Sequence, residues 1–79
     1  MLKLVINTIS KELVRRKEVQ FLEEQKRRKL AYAEEQKNSA IAAYRNEKHM
    51  IGKTYMQKYD TAIFESMELQ DKINNLTRE

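Results

Sequence analysis

Met50-Ile-Gly-Lys-Thr-Tyr-Met-Gln57 contains the only glycine of a 79-residue chain that has no proline. Glycine favours the left-handed position that follows the last turn of a helix. Thr54 and Gln57 have the Ser/Thr-x-x-Glu/Gln spacing of a capping box, which marks the start of a helix. The stretch therefore predicts a tight connection between two helices at residues 52–54.

The composition on both sides of this connection favours helix. The chain is 41% hydrophobic and 35% charged, as expected for long helices. We expect an all-α protein, a single small domain over residues 1–79, with a long basic arm at about residues 8–51 and a shorter arm at about 54–77. Because the arms differ in length, they predict an uneven helical hairpin or a coiled-coil-like rod. A break of the first arm at Asn38-Ser39 stays open, since both side chains can cap a helix.

The two arms have different hydrophobic patterns. The second arm has an amphipathic stripe that is rich in tyrosine and methionine. The stripe comprises Tyr55, Tyr59, Ala62, Ser66, Leu69, Ile73 and Leu76, and Met56, Ile63 and Met67 widen it. The first arm has a clear stripe only at Leu2, Ile6, Ile9 and Leu13. It then becomes polar over residues 23–29, where acid-first pairs four residues apart support a solvated helix. These pairs are Glu23 with Arg27 and Glu24 with Arg28, and Glu12 with Arg16 repeats the spacing.

Charge is also unevenly distributed. Residues 1–50 hold twelve Lys and Arg against seven Glu, whereas residues 51–79 hold four basic against five acidic residues. Any attraction to a polyanion therefore comes from the first arm. The candidate polyanion contacts are Arg15, Arg16, Lys17, Lys26, Arg27, Arg28 and Lys29.

The residue types argue against catalysis and cofactor binding. The chain has no cysteine and one histidine, His49, so it lacks the His and Cys clusters of zinc sites. Gly52-Lys53-Thr54 matches the end of a phosphate-binding P-loop, but Glu47 stands where that motif requires glycine. We expect no enzyme activity, cofactor, metal or small-molecule substrate. The lack of cysteine and of a long apolar run predicts an intracellular, cytoplasmic protein without a membrane span.

One short segment resembles a known motif. Ser66-Met67-Glu68-Leu69-Gln70-Asp71 resembles the Ser-x-Glu-Leu-Asp motif of small helical-hairpin phosphatases that act on sporulation response regulators. The resemblance covers six of 79 residues, and the additional Gln70 moves Asp71 about 100° around a helix. It implies a phosphatase-like regulator, which is our third hypothesis for the function.

The first hypothesis is a non-catalytic helical module for protein–protein interaction. A chain of this length leaves much apolar surface exposed unless a partner or self-association covers it. We expect an assembly component, an adaptor or a small inhibitor of a larger protein. The second hypothesis is nucleic-acid binding through the basic arm. The predicted protein interface comprises Leu2, Ile6, Ile9, Leu13, Tyr44, Ile51, Tyr55, Met56, Tyr59, Ile63, Met67, Leu69 and Ile73.

Overall fold

The protein is a hairpin of two long helices. The computed structural model describes residues 2–78, with side chains described from Ile9 to Arg78. Helix α1 spans Leu2–Arg45 (44 residues) and helix α2 spans His49–Thr77 (29 residues). The molecule measures 69 × 14 × 12 Å. These findings confirm the prediction of an uneven all-α hairpin, and α1 continues through Asn38 and Ser39 without a break.

Residues 46–48 connect the helices in a Schellman motif. The Lys48 amide donates to the Ala43 carbonyl at 2.8 Å, and the Glu47 amide donates to the Tyr44 carbonyl at 3.1 Å. These bonds satisfy carbonyls at the end of α1 that have no partner within the helix. The motif requires one left-handed residue, and Glu47 takes that conformation with a φ of 61°. The turn is therefore made by a residue type that is less suited to it than glycine.

The prediction of a connection at residues 52–54 was wrong in position. Gly52 lies in the first turns of α2, where its amide donates to the Lys48 carbonyl at 2.9 Å. Thr54 does not cap a helix, because its hydroxyl donates to the Met50 carbonyl one turn earlier at 3.1 Å. Gly52 serves a close approach instead. A Cβ atom at this position would lie 2.9 Å from the ring of Tyr44.

A seam of small side chains joins the two helices. The buried residues of the hairpin are mostly alanine, glycine and serine, and small residues allow two backbones to approach closely. They are Ala33, Ala40 and Ala43 in α1 and Gly52, Ala62, Ser66 and Ile73 in α2. Two polar contacts fix the antiparallel register, Lys29 to Glu65 at 2.7 Å and Lys26 to Gln70 at 2.5 Å.

The seam follows the alternating three- and four-residue spacing of a coiled coil. In α2 it comprises Gly52, Tyr55, Tyr59, Ala62, Ser66, Leu69, Ile73 and Leu76, which confirms the predicted amphipathic stripe. In α1 it comprises Val19, Leu22, Lys26, Lys29, Ala33, Gln36, Ala40 and Ala43. All of these residues are buried or half-buried. The α1 side of the seam is thus small or polar over most of its length.

The first helix extends well beyond the second. The difference of 15 residues between the two helices corresponds to about 22 Å of α1. Leu76, near the end of α2, lines one groove together with Arg15 and Val19. The first turns of α1 therefore have no part of α2 beside them, as the unequal arms predict.

Candidate protein-interaction surface

The hairpin carries many of its large apolar side chains on the outside. Twelve large hydrophobic residues are at least 39% exposed, and no large side chain among residues 9–78 is fully buried. Single exposed apolar residues are ordinary, but a contiguous group marks a contact surface. The position of these residues around each helix therefore decides whether they form a surface.

Six apolar residues lie on one side of the hairpin, and we name this side the apolar flank. Each of the six directly follows a seam residue, so all are turned about 100° in the same direction from the seam. In an antiparallel pair of helices, these positions come together on one side. The apolar flank comprises Leu30, Ile41 and Tyr44 of α1 and Met56, Ile63 and Met67 of α2. Tyr44 and His49, whose ring centres are 5.9 Å apart, show that the two helices meet on this side.

The opposite side, here named the polar flank, is formed by residues that directly precede seam residues. It contains an open groove of about 920 Å³ between the helices. Arg28, Lys58 and Lys72 line the groove together with Glu65 and Glu68. Because charges of both signs alternate there, this groove does not select a ligand of one charge. Phe21, Tyr32 and Ile51 also precede seam residues and are exposed, so the polar flank has fewer large apolar residues than the apolar flank but does not lack them.

The predicted interface residues fall into three groups. Ile9, Leu13, Tyr44, Ile51 and Met67 are exposed, and Met56 and Ile63 are half-buried on the apolar flank. Tyr55, Tyr59 and Leu69 are half-buried in the seam, and Ile73 is buried there with 6% exposure. The side chains of Leu2 and Ile6 lie outside the described residues. The seven described residues outside the seam stay predicted contacts, whereas the four seam residues contribute to the hairpin itself.

The sequence prediction omits exposed apolar residues on both helices. Leu30 and Ile41 lie on the apolar flank, and Phe21 and Phe64 are more than 60% exposed elsewhere. The seven- and three-residue spacing of Ala33, Ala40 and Ala43 is that of one helix face and could have indicated the seam of α1. That spacing would have placed Leu30 and Ile41 beside it.

The basic residues do not form one stripe. Lys26 and Lys29 are seam residues that contact Gln70 and Glu65 of α2. Arg27 and Arg28 lie on opposite flanks, since one follows and the other precedes a seam residue. The basic residues near residue 15 are also divided. Arg15 and Arg16 pair with Glu12, and Lys17 is exposed.

Ion pairs within α1 neutralise part of this positive charge. Arg27 donates to Glu24 at 2.5 and 3.1 Å, and Arg28 donates to the same carboxylate at 3.3 Å. The hydrogen bond from Arg27 is the main reason why the pKa of Glu24 lies below its ordinary value of 4.5. The same bond raises the pKa of Arg27. The predicted pairs Glu12–Arg16 and Glu24–Arg28 are confirmed, while Arg27 pairs with Glu24 and not with Glu23.

The segment with the phosphatase-like motif is split between two surfaces. Ser66 is 5% exposed, and its hydroxyl donates to the Ile63 carbonyl at 2.7 Å. Glu68 is exposed and lines the groove of the polar flank, and Asp71 is exposed outside that groove. The serine and the two acids therefore do not converge on one pocket.

Residues 9–78 contain no group of three or more His, Asp or Glu side chains that could hold a metal ion. Neither described helix has a segment apolar and long enough to span a membrane.

Comparison with known proteins identifies no relative. No family model matches the chain, and no curated protein and no solved structure is similar to it.

Proposed function

We propose that this protein is a non-catalytic helical module for protein–protein association, and that its apolar flank is the contact surface. The observation that carries the proposal is the placement of Leu30, Ile41, Tyr44 and Met67. These side chains are 39–61% exposed, while alanine and glycine occupy the seam. An assembly component, an adaptor or a small inhibitor would all use such a surface.

The surface area of the chain supports this proposal. The accessible surface is 6725 Å² for a mass of 9.5 kDa. A compact monomer of that mass exposes about 5,000 Å², so the hairpin exposes about 1,700 Å² more. Burial of apolar area is the main driving force for protein association. The elongated hairpin therefore has both the area and the side chains that a partner would cover.

Methionine and tyrosine make the apolar flank suited to contact. Methionine adapts its shape to an irregular partner, and tyrosine combines a large apolar ring with a polar hydroxyl. Tyr44, Met56 and Met67 supply these groups on the flank. Glu34 and Lys37, between Leu30 and Ile41, and Asp60, between Met56 and Ile63, also follow seam residues and are exposed, so charged side chains alternate with the apolar ones on this flank.

Nucleic-acid binding receives less support from the arrangement of charges. Phosphate contact requires basic residues that face one side and are free of competing acids. Here Lys26 and Lys29 face α2, and Glu24 bonds to Arg27 and Arg28. Titration of duplex DNA and RNA at low salt, with wild type and an Arg27→Gln/Arg28→Gln variant, tests this alternative.

A pair of methionine variants tests the association function. Met67→Glu places a charge on the apolar flank, while Met50→Glu makes the same change at a residue that is 80% exposed and does not follow a seam residue. Each variant is tagged and purified from the native host beside wild type, and the co-purifying chains are quantified. We expect Met67→Glu to lose the specific partner chain and Met50→Glu to retain it.

One result would contradict the proposed surface, and one would require a replacement variant. Equal recovery of the partner with both variants would show that the flank makes no contact. Loss of helical circular dichroism in Met67→Glu would remove that variant from the comparison. Ile41→Glu, on the α1 side of the flank, then replaces it.

A further inference from the structure

We infer that a second copy of this chain packs antiparallel on the apolar flank and forms a four-helix bundle. The inference rests on the proposed association function and names its partner. Leu30 and Ile63 lie at the centre of this contact, since the register set by Lys29 and Glu65 places them at the same level of the hairpin. A two-fold axis between the copies passes beside these two residues.

The charges on α1 are arranged for such an antiparallel pairing. Four charged residues share the flank with Leu30, because each directly follows a seam position, and all four are exposed. They are Glu23 and Arg27 before Leu30 and Glu34 and Lys37 after it. Glu23 lies seven residues before Leu30, and Lys37 lies seven residues after it. Arg27 lies three residues before Leu30, and Glu34 lies four residues after it.

An antiparallel second copy therefore meets opposite charges at every one of these positions. Glu23 faces Lys37 of the second copy, and Arg27, which also bonds to Glu24 of its own helix, faces Glu34 of the second copy. Symmetry repeats both pairs, which gives four ion pairs around a centre of Leu30 and Ile63. If the two α1 helices ran parallel in register, each charge would instead meet its own copy, which is unfavourable.

The exposed area is sufficient for this contact. A stable interface of ordinary size covers about 800 Å² on each partner. That is about half of the 1,700 Å² by which the hairpin exceeds a compact monomer. The apolar flank extends from Leu30 to Tyr44, which corresponds to about 21 Å along α1. With the two-fold axis beside Leu30, this length of α1 lies opposite residues 16–30 of the second copy.

Charge reversal tests the partner and its orientation together. Sedimentation equilibrium of the whole chain gives the dissociation constant of the dimer for wild type, Glu23→Lys, Lys37→Glu and the double variant. Each single reversal creates two like-charge contacts per dimer and should raise the dissociation constant about tenfold. The double variant restores opposite charges, and its dissociation constant should return to within about threefold of wild type.

A central substitution with a matched control tests the location of the contact. Leu30→Glu should raise the dissociation constant at least about 100-fold, because it buries a charge at the two-fold axis. Phe21→Glu makes a comparable change on the other flank, where Phe21 is 61% exposed, and should leave the dimer intact. Circular dichroism reports whether each variant keeps its helices.

Crosslinking gives an independent reading if a charged variant fails to fold. The chain has no cysteine, so Leu30→Cys and Phe21→Cys each carry a single thiol. A short bis-maleimide should join two Leu30→Cys chains into a covalent dimer and leave Phe21→Cys chains monomeric.

The inference and the proposed function fail separately. A wild-type mass of 9.5 kDa at every concentration would overturn the second copy as partner, while the partner recovered by wild type and lost by Met67→Glu would still support association. A dimer that the double reversal does not restore would overturn the antiparallel register.

Discussion

The two helices bring different side chains to the seam between them. Helix α2 supplies its largest apolar residues, including Tyr55, Tyr59 and Leu69, and buries Ile73. Helix α1 supplies alanine and polar residues along most of the same length and keeps Leu30 and Ile41 outside. The comparison shows that the hairpin buries large apolar side chains mainly from α2. Both helices also carry large apolar residues that the hairpin leaves exposed, among them Leu30 and Ile41 of α1 and Phe64 and Met67 of α2.

Truncation of a seam residue in α2 has the largest expected effect on this arrangement. Ile73→Ala should lower the free energy of unfolding by about 2–5 kcal/mol, because it leaves a cavity where the side chain is 6% exposed. Phe64→Ala on the outside of the same helix should change it by less than about 0.5 kcal/mol. Urea unfolding followed by circular dichroism measures both. Equal effects would show that α2 is not held by this seam.

Replacement of a polar seam residue in α1 should instead raise the free energy of unfolding. The side-chain oxygen of Gln36 is buried and accepts no hydrogen bond from the described residues. Gln36→Leu removes this unpaired acceptor and should raise the free energy of unfolding by about 1–3 kcal/mol. Gln57→Leu, at an exposed position of α2, provides the control. Destabilisation by Gln36→Leu would mean that the amide has a partner in solution.

Relief of the left-handed residue in the connection should stabilise the hairpin by a smaller amount. Glu47→Gly removes the steric cost of a side chain at a φ of 61° and should add about 0.5–1 kcal/mol after the greater freedom of unfolded glycine is deducted. Glu47→Ala keeps the Cβ atom and should give no such gain. Thermal unfolding of the two variants separates the outcomes, and equal melting temperatures would contradict the Schellman turn.

The contact between Tyr44 and Gly52 should give the smallest effect. Without the ring, in a Tyr44→Ala background, Gly52→Ala should gain about 0.8–1.0 kcal/mol from helix propensity. With the ring present, the added Cβ meets it at 2.9 Å, so the gain should fall by at least about 0.5 kcal/mol. A double-mutant cycle measures this difference. Identical effects in both backgrounds would place Tyr44 away from Gly52.

Particular residues explain how much the sequence predicts. The stripe of α2 is visible because five of its eight seam residues are large and apolar and its outer residues are mostly polar. The seam of α1 is hidden, since Ala33, Gln36 and Ala40 are not distinguished by hydrophobicity from their exposed neighbours. The predicted position of the connection is wrong because the preference for glycine after a helix is a statistical average and does not hold for every turn. Here the turn uses Glu47, and Gly52 instead makes room for Tyr44.

The candidate surface is predictable only in part for the same reason. Met56, Ile63 and Met67 follow from the stripe of α2, to which they are adjacent. Leu30 and Ile41 can be assigned to the same side only once the seam of α1 is known. Tyrosine is a residue type that is common in protein interfaces, so the sequence predicts contacts at Tyr55 and Tyr59. The register of the two helices places both residues in the seam instead.

Methionine oxidation tests the apolar flank most directly. Met50 is 80% exposed and Met67 is 61% exposed, so both should react with hydrogen peroxide in the monomer. Mass spectrometry gives their oxidation rates over a range of protein concentrations. We expect oxidation of Met67 to slow relative to that of Met50 as the chains associate. A constant ratio of the two rates in associated chains would contradict a contact on the apolar flank.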